Sequence, residues 1–305
     1  MHSCCWQPCW LCSSSSAIHG YLRQVMETVA LPGNHVFALA WYQQASHVCG
    51  KQLTQNLKQA SFLLFQQNPL APPDWVESDE AWQPNECPGQ SFQAWLLLEN
   101  LKLSMEDSND ILLEPYLQSW DQLLNFMDSL GSVVSFFSQK VKEKVTLLRE
   151  QSIRHSTGAE GRREAYRTVR SMVETELKEE VVNFSHRTNS GCRMLLRLHR
   201  SLLWLKLLLE GLAEGPDIHG HQRTPGELSR DAYRVALAPH HPWFLRQAAE
   251  MVFLALPDRQ YFLKLVCVQS QNEATPILRT IIRALTLVHK QTQQILAEND
   301  MLELP

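Results

Sequence analysis

The sequence predicts an all-α protein, and three observations support this prediction. Apolar residues recur at helical spacing in one segment after another from Gln90 onward. Only 12 glycines occur in 305 residues, which is few for the many turns of an all-β protein. Hydrophobic residues make up 44% of the chain, and no segment shows the strict alternation of a half-buried strand. We expect about eight helices around one core.

The first 88 residues differ from the rest of the chain. Segments with helical periodicity at 17–31 and 35–67 are interrupted by polar and proline-rich stretches. The stretch from Pro69 to Pro88 is rich in Pro, Glu, Asp and Trp, which is typical of a linker. We therefore predict a partly disordered extension and linker over residues 1–88, and a helical domain over residues 89–305.

Half of the eight cysteines lie within the first twelve residues, at Cys4, Cys5, Cys9 and Cys12. Such a cluster can bind zinc or carry palmitate. No second ligand pair follows at zinc-finger spacing, which favours an acylated or disordered tail over a metal site. The sequence contains neither a basic-then-apolar leader nor an apolar run of about 20 residues. We therefore expect a cytoplasmic protein with reduced thiols.

The first helices of the domain can be placed in order. Phe92 to Leu103 is amphipathic. Residues 111–148 continue the helical pattern, with Pro115 suited to a first turn and Gly131 marking a bend or break. After a polar loop, the next helix has on one face Tyr166, Val169, Val173, Leu177 and Val181.

The remaining helices are delimited by glycine and proline. Their predicted positions are Gly191 to Leu212, Asp231 to Leu237, Pro242 to near Pro257, and Thr275 and Pro276 onward.

The helix from Gly191 to Leu212 is the most informative segment. Its apolar residues are too dense to leave a polar face, so we expect it to be buried on most sides. Arg193, Arg197 and Arg200 recur at spacings of four and three, which places their guanidinia along one stripe. Because arginine stays protonated, a buried stripe requires anionic partners or water. Carboxylates of other helices can supply them, and so can an external phosphate or carboxylate.

The common sequence motifs of catalysis and metal binding are missing from the sequence. The sequence has no glycine-rich phosphate loop, no nucleophile elbow and no metal-hydrolase spacing of His and carboxylate. His240 and His241 are adjacent and would face different directions, and His199 lies off the arginine stripe. The net charge of -4 argues against a nucleic-acid partner. We therefore expect no enzyme, no metal and no cofactor, and any anion site must be local.

Five motifs in the same order resemble the glycolipid transfer protein superfamily, nearest its ceramide-1-phosphate transfer branch. They are LLEPYLQSW, SLGSVVSFF, GCRMLLRLHRSLLWL, HHPWFLRQA and the terminal LELP. The resemblance spans roughly Gln90 to Pro305. It implies a two-layer, all-α sandwich that encloses lipid chains between helices and leaves the polar headgroup at the surface.

The resemblance also implies roles for individual residues. A phosphate cradle would consist of Lys144, Arg187, Arg193, Arg197 and Arg200.

Two further residues would contact the lipid backbone and the membrane. His241 would bind the amide carbonyl of a ceramide, and Trp243 would lie at the membrane surface, where an amphipathic ring is favoured. By spacing alone, an apolar stripe is a candidate lining for acyl chains or is plain core, and its members are Phe126, Val133, Phe136 and Phe137.

One position departs from the family pattern. The family has an Asp four residues before the lysine, accepting hydrogen bonds from the sphingoid amide and hydroxyl, whereas this chain has Lys140, which has no acceptor. Three interpretations of Lys140 follow. It is a further phosphate ligand, and the protein accepts lipids with a wider range of backbones, or lipid binding is much weakened. In the third, ceramide-1-phosphate is still carried, and His241 and water hold its amide group. Glu143 is a possible substitute, but at i, i+3 it would more easily pair with Lys140.

Three functions follow from these observations. The first is a monomeric carrier, peripheral on membranes, that moves an anionic sphingolipid, ceramide-1-phosphate, between them. The second is a membrane-surface sensor or adaptor that binds lipid headgroups without transfer. The third is a helical interaction module whose arginines pair with acids such as Glu176, Glu179 and Glu180.

Overall fold

The computed structural model describes residues 86–105, 109–156, 164–216 and 220–305. The predicted extension up to residue 85, including the cluster of four cysteines, lies outside these residues. The division into an extension and a helical domain therefore stays a prediction.

Helices make up nearly all regular structure in the described residues, which confirms the all-α prediction. An isolated antiparallel bridge between Leu112 and Thr168 is the one β-type pairing within these ranges. The α-helices are α1 (Ala94–Ser104), α2 (Leu113–Ser129), α3 (Ser132–Ser156), α4 (Val169–Lys178), α5 (Gly191–Ala213), α6 (Pro225–Ala236), α7 (Trp243–Leu254), α8 (Arg259–Leu265) and α9 (Gln271–Glu298), with 3-10 turns at Ala238–His240 and Met301–Glu303.

Local capping determines where several helices begin. Thr168 and Thr224 form capping boxes at the starts of α4 and α6, and Ser270 forms one with Glu273 at the start of α9. The predicted start of the last helix at Thr275 and Pro276 was wrong, because this capping box starts the helix at Gln271 and the proline is accommodated inside it.

Several other boundaries differ from the prediction. Helix α6 begins at Pro225 rather than at Asp231, because the capping box of Thr224 starts it there. Tyr166 precedes α4 rather than lying on it, since Thr168 caps the helix. Val181 follows the end of α4 and is 36% exposed. The short helix α8 was not predicted, because its seven residues are too few to show a helical period. Gly131, with φ of +107°, separates α2 from α3 as expected.

Helix α5 occupies the middle of the molecule. It packs against α9, α6, α3 and α4, while α1 packs against α2 and α9. The close contact between α5 and α6 requires Gly211, since a Cβ there would lie 2.5 Å from Leu228 Cδ2. This central placement explains why α5 is apolar around most of its circumference.

A disulfide joins two ends of the domain. Cys87, before α1, is bonded to Cys267, after α8, with 5.8 Å between their Cα atoms. The expectation of reduced thiols is therefore wrong for this pair. Cys192, on α5, is a free and fully buried cysteine.

Candidate functional site

The N-terminus of α5 is held by a buried carboxylate and a serine cap. Glu176 of α4, 1% exposed, accepts hydrogen bonds from Gly191 N at 2.5 Å, Cys192 N at 2.9 Å and the Tyr166 hydroxyl at 2.6 Å. Ser190 Oγ accepts a hydrogen bond from the backbone N–H of Arg193, in the first turn of the helix. A Cβ at position 191 would lie 2.8 Å from a Met172 side-chain atom, so only glycine permits this approach. These contacts set the rotation of α5 and hence the direction of its arginine stripe.

The three arginines of the stripe are half-buried and point toward the C-terminal segment. Met301 and Leu304 anchor this C-terminal segment in the core, since they are 0% and 4% exposed. Each guanidinium donates to a main-chain oxygen there: Arg193 Nε to Pro305 O at 2.6 Å, Arg197 Nη1 and Nη2 to Leu304 O at 3.4 Å, and Arg200 Nη2 to Leu302 O at 2.6 Å. The oxygens of Leu302 and Leu304 are peptide carbonyls, which accept a hydrogen bond but carry no net charge to neutralise a guanidinium. The charges of Arg193 and Arg197 lower the pKa of Lys144, and those of Arg197 and Arg200 lower the pKa of His241, so the potential beside the stripe is positive.

Lys144 of α3 lies against this stripe. Its Nζ donates to Lys140 O at 2.5 Å. Burial lowers its pKa to about 8, Glu143 opposes that shift, and the charges of Lys140, Arg197 and Arg193 lower the pKa further. The ammonium of Lys144 is therefore within electrostatic reach of two stripe arginines.

Lys140 lies at the exposed rim of the site. Its Nζ donates to both carboxylate oxygens of Glu143, at 2.8 and 3.1 Å, and the two side chains are 58% and 46% exposed. The i, i+3 pairing expected from the sequence is thus present. An exposed pair of this kind contributes about 0–1 kcal/mol to stability, so a ligand can compete for either partner.

Two histidines from the segment between α6 and α7 complete the site. Burial, followed by the charges of Lys144 and Arg197 and other nearby cations, lowers the pKa of His241 to about 4. Burial and the stripe arginines lower the pKa of His240 to about 4 as well. Both imidazoles are therefore neutral at pH 7. The Tyr233 hydroxyl is 2.9 Å from His241 Nδ1 and orients the ring.

The structure brings together most of the residues predicted for the headgroup site. Arg187 is exposed on the segment that leads from α4 into α5. Trp243, the first residue of α7, is 64% exposed and lies two residues beyond His241. The residues that converge at one end of α5 are Lys144, Arg193, Arg197, Arg200 and His241, with Lys140 at their edge.

Other members of the site were not foreseen. Tyr233 lies eight residues before its partner His241, a spacing with no sequence signature. Arg246 donates to the His241 carbonyl at 3.0 Å and adds to the positive potential. The terminal LELP motif was noticed, but only the fold shows that its main-chain oxygens meet the arginines.

An apolar cleft runs between α1, α2, α5, α8 and α9. Its free space is about 20 Å³, enough for roughly one water molecule, so its apolar walls are nearly in contact. Phe126 lines it, together with Phe92, Phe262 and aliphatic residues of α5 and α9. Val133 and Phe137 pack at the edge of the core without lining this cleft, and the side chain of Phe136 lies outside what the structure describes.

The described residues contain neither a candidate membrane span nor a candidate metal site. None of their helices is both long enough and apolar enough to cross a membrane. No three residues among His, Cys, Asp and Glu in these ranges are grouped so that they could hold a metal ion.

Comparison with known proteins gives a consistent result. Residues 111–268 match the family model described as glycolipid transfer protein. The human ceramide-1-phosphate transfer protein is 36% identical over 217 residues, which cover 70% of this chain and 97% of that protein. The counterpart from Xenopus laevis is 37% identical over 218 residues, covering 70% and 93%.

Solved structures show the same likeness. The human ceramide-1-phosphate transfer protein in complex with 2:0 ceramide-1-phosphate has a TM-score of 0.63 and 34% identity, covering 70% of this chain and 99% of that one. The apo form of the mouse protein has a TM-score of 0.62 and 33% identity, covering 70% and 100%. These matches confirm the two-layer, all-α sandwich expected from the sequence.

Proposed function

Because the chain belongs to the glycolipid transfer protein family, we propose that it moves an anionic sphingolipid, ceramide-1-phosphate, between membranes without vesicles. The observation that carries this proposal is the convergence of Lys144 and the three stripe arginines at one end of α5. Relatives at about this level of similarity are named ceramide-1-phosphate transfer proteins, and one is seen with that lipid bound. Transfer requires no covalent step, so we do not propose an enzyme.

The headgroup would bind by exchange of hydrogen-bond partners. In the structure Arg197 and Arg200 donate to peptide carbonyl oxygens, which are neutral. Hydrogen bonds to an ionised acceptor are roughly twice as strong, and a phosphomonoester carries a charge of about -1.5 to -2 at pH 7. A phosphate would therefore displace the C-terminal oxygens from the stripe. We propose that Arg187 joins the phosphate from its exposed segment and that His241 donates to the acyl carbonyl.

The lipid chains would occupy the apolar interior reached through the cleft that Phe126 lines. Burying about thirty methylenes at ~0.8 kcal/mol each contributes a large favourable free energy relative to water. The chains have nearly the same free energy in the bilayer that they leave, because its interior is also apolar, so this contribution nearly cancels in transfer. The difference between a bound and a membrane lipid therefore depends mainly on the headgroup, which permits release as well as capture.

The proposal is tested by vesicle-to-vesicle transfer of fluorescent ceramide-1-phosphate. We expect transfer by the wild-type protein and a roughly ten- to hundredfold loss of affinity in R197Q, because a charge-assisted hydrogen bond contributes about 1.5–3 kcal/mol. R279Q, a change at an exposed arginine of α9, is the matched control and should transfer normally. Equal transfer by R197Q and R279Q would contradict the proposed role of the stripe.

Trp243 is proposed to dock on the membrane surface. Its ring is 64% exposed at the start of α7, where it can enter the interface without unfolding the core. We expect W243A to lower vesicle binding and the transfer rate several-fold while leaving the affinity for a short-chain lipid in solution unchanged. Isothermal titration with such a lipid separates the two effects, and a loss of solution affinity would refute a pure docking role.

A sensor or adaptor that binds without transfer is the alternative. The observation that favours it is Lys140, a cation at the rim where the family has an acceptor. Stable binding of the protein to vesicles that contain ceramide-1-phosphate, without net transfer, would support this alternative.

The predicted monomeric state and cytoplasmic location, peripheral on membranes, remain predictions. The Cys87–Cys267 disulfide is of a kind that is rare in cytosolic proteins. Fractionation of cells together with thiol labelling would show on which side of a membrane the protein works.

A further inference from the structure

We infer that the preferred ligand is a phosphate-bearing lipid whose backbone offers hydrogen-bond acceptors but no donors, that is, a diacylglycerol phosphate. This inference rests on the proposed function, because it concerns the same headgroup site and a lipid carried to it. It goes further in naming the backbone that the site selects, which is an ester-linked glycerol rather than an amide-linked sphingoid base.

Most of the charged side chains that surround the site are donors, and the carboxylates near them include those of Glu143 and Glu303. Lys140, Lys144 and the stripe arginines have no acceptor atoms at all. The Tyr233 hydroxyl lies against Nδ1 of His241, and when it donates to that atom the neutral ring carries its proton on Nε2. His241 then presents an N–H to the ligand. A lipid carbonyl finds a donor here whether it belongs to an ester or to an amide.

The acceptors that the structure places against these donors are already engaged. Lys140 O accepts from Lys144, and the carboxylate of Glu143 accepts twice from Lys140. The main-chain oxygen of His241 accepts from Arg246. The oxygens of the C-terminal segment accept from the stripe. A donor on the lipid would have to share one of these oxygens with a cation of the protein or displace that cation.

The two classes of lipid phosphate differ in this respect. Next to its phosphate, ceramide-1-phosphate has an amide N–H and a hydroxyl, both of which need acceptors once they leave water. Diacylglycerol phosphate has two ester carbonyls in the same region and no donor. A buried donor without a partner weakens binding by roughly tenfold, whereas an acceptor facing Lys140 or His241 is satisfied.

The test compares the two lipids with matched acyl chains in the same vesicle transfer and binding assay. We expect the wild-type protein to bind and transfer diacylglycerol phosphate at least as well as ceramide-1-phosphate. K140D replaces the rim cation by an acceptor and also releases Glu143, so it should shift the preference toward ceramide-1-phosphate by roughly tenfold. K142D makes the same charge change at an exposed position of α3 outside the site and should leave the preference unchanged.

The outcomes separate this inference from the proposed function. A wild-type preference for ceramide-1-phosphate of tenfold or more would overturn the inference and leave the proposed function standing. No shift between wild type and K140D would also overturn it, because the donor-rich rim would then not set the choice. If neither phosphate lipid binds or moves, the proposed function itself fails. The wild-type comparison needs no variant, and Lys140 is exposed, so folding of K140D is checked simply by circular dichroism.

Discussion

At the scale of single residues, the main feature is a set of cations that lie close together at one end of α5. Burial and the neighbouring cations leave Lys144 with a pKa of about 8 and His241 with a pKa of about 4. Burial is the larger cause of both lowered pKa values, and the positive charges at one end of α5 lower them further. A bound phosphate would relieve this repulsion, and binding of an anion is thereby coupled to protonation of Lys144.

This coupling predicts the pH dependence of lipid binding. Affinity should rise from pH 5 to 7, as the phosphomonoester takes its second charge near a pKa of about 6. It should then fall above pH 8, because Lys144 with a pKa of about 8 loses its proton in the free protein. His241, with a pKa of about 4, stays neutral throughout this range. Titration of short-chain ceramide-1-phosphate at several pH values measures the profile.

The variant K144R is the control for this profile. Arginine keeps its charge at every accessible pH, so the fall above pH 8 should disappear while the rise below pH 7 remains. A fall of the same size in K144R would show that another group is responsible.

At the scale of elements, the site depends on how segments distant in sequence are tied to α5. Glu176 of α4 holds the start of the helix, and the C-terminal turn meets its arginines. The disulfide fixes Cys87 to Cys267 beside the apolar cleft, which is lined by Phe92 on one side of the bond and Val266 on the other. The lining of the cleft therefore includes a segment before α1 that this bond, together with a hydrogen bond from Gln90 Nε2 to Lys264 O, joins to the end of α8.

Removal of the disulfide should weaken the domain. The double variant C87S/C267S is expected to lose about 2–4 kcal/mol of unfolding free energy, because the bond closes a loop of 180 residues in the unfolded chain. Thermal unfolding with and without dithiothreitol measures the effect. Reductant should lower the melting temperature of the wild-type protein and leave that of the variant unchanged. A wild-type protein insensitive to reductant would mean that the bond contributes little.

At the scale of the whole molecule, buried neutral histidines make stability depend on pH. His199 of α5 stacks on His289 of α9, with 4.0 Å between ring centroids, and a Gln293 oxygen is 2.5 Å from His199 Nε2. Burial lowers their pKa values to about 4 and about 3. In the unfolded chain both would titrate near 6.5, so the unfolded state binds more protons below that pH.

The folded state should therefore lose stability as pH falls from about 6.5 toward 4. Each histidine contributes up to about 1 kcal/mol per pH unit in this window. Thermal unfolding at intervals from pH 7.5 to 4 measures the slope. H289L removes one of the two groups and should make the slope shallower, whereas an unchanged slope would show that the stacked pair is not its source.

Much of the fold could be read from the periodicity of apolar residues, because an amphipathic helix carries its own signature. The helix from Gly191 and the break at Gly131 were predicted at their observed places. The start of α9 was missed because the capping box of Ser270 and Glu273 outweighed the usual meaning of Pro276. Short α8 gave no periodic signal.

The candidate site also has a part that could be predicted from the sequence and a part that could not. The arginine stripe and its neighbour Lys144 were identified from the spacing of charges and from resemblance. The hydrogen bond between Tyr233 and His241, the main-chain oxygens beneath the stripe and the disulfide of Cys87 were not. The last two join residues more than 100 positions apart, and the spacing of Tyr233 and His241 has no sequence signature.

By itself, the sequence of this protein determined an all-α class, a buried helix with three aligned arginines and a local need for an anion. These properties follow from periodicity and from the fixed charge of arginine, which operate within a few turns of one helix. The tertiary structure alone decided which acceptors lie against those arginines and which histidine is held neutral among them. Such contacts join residues far apart in the chain, and their energies exist only once packing brings them together and excludes water.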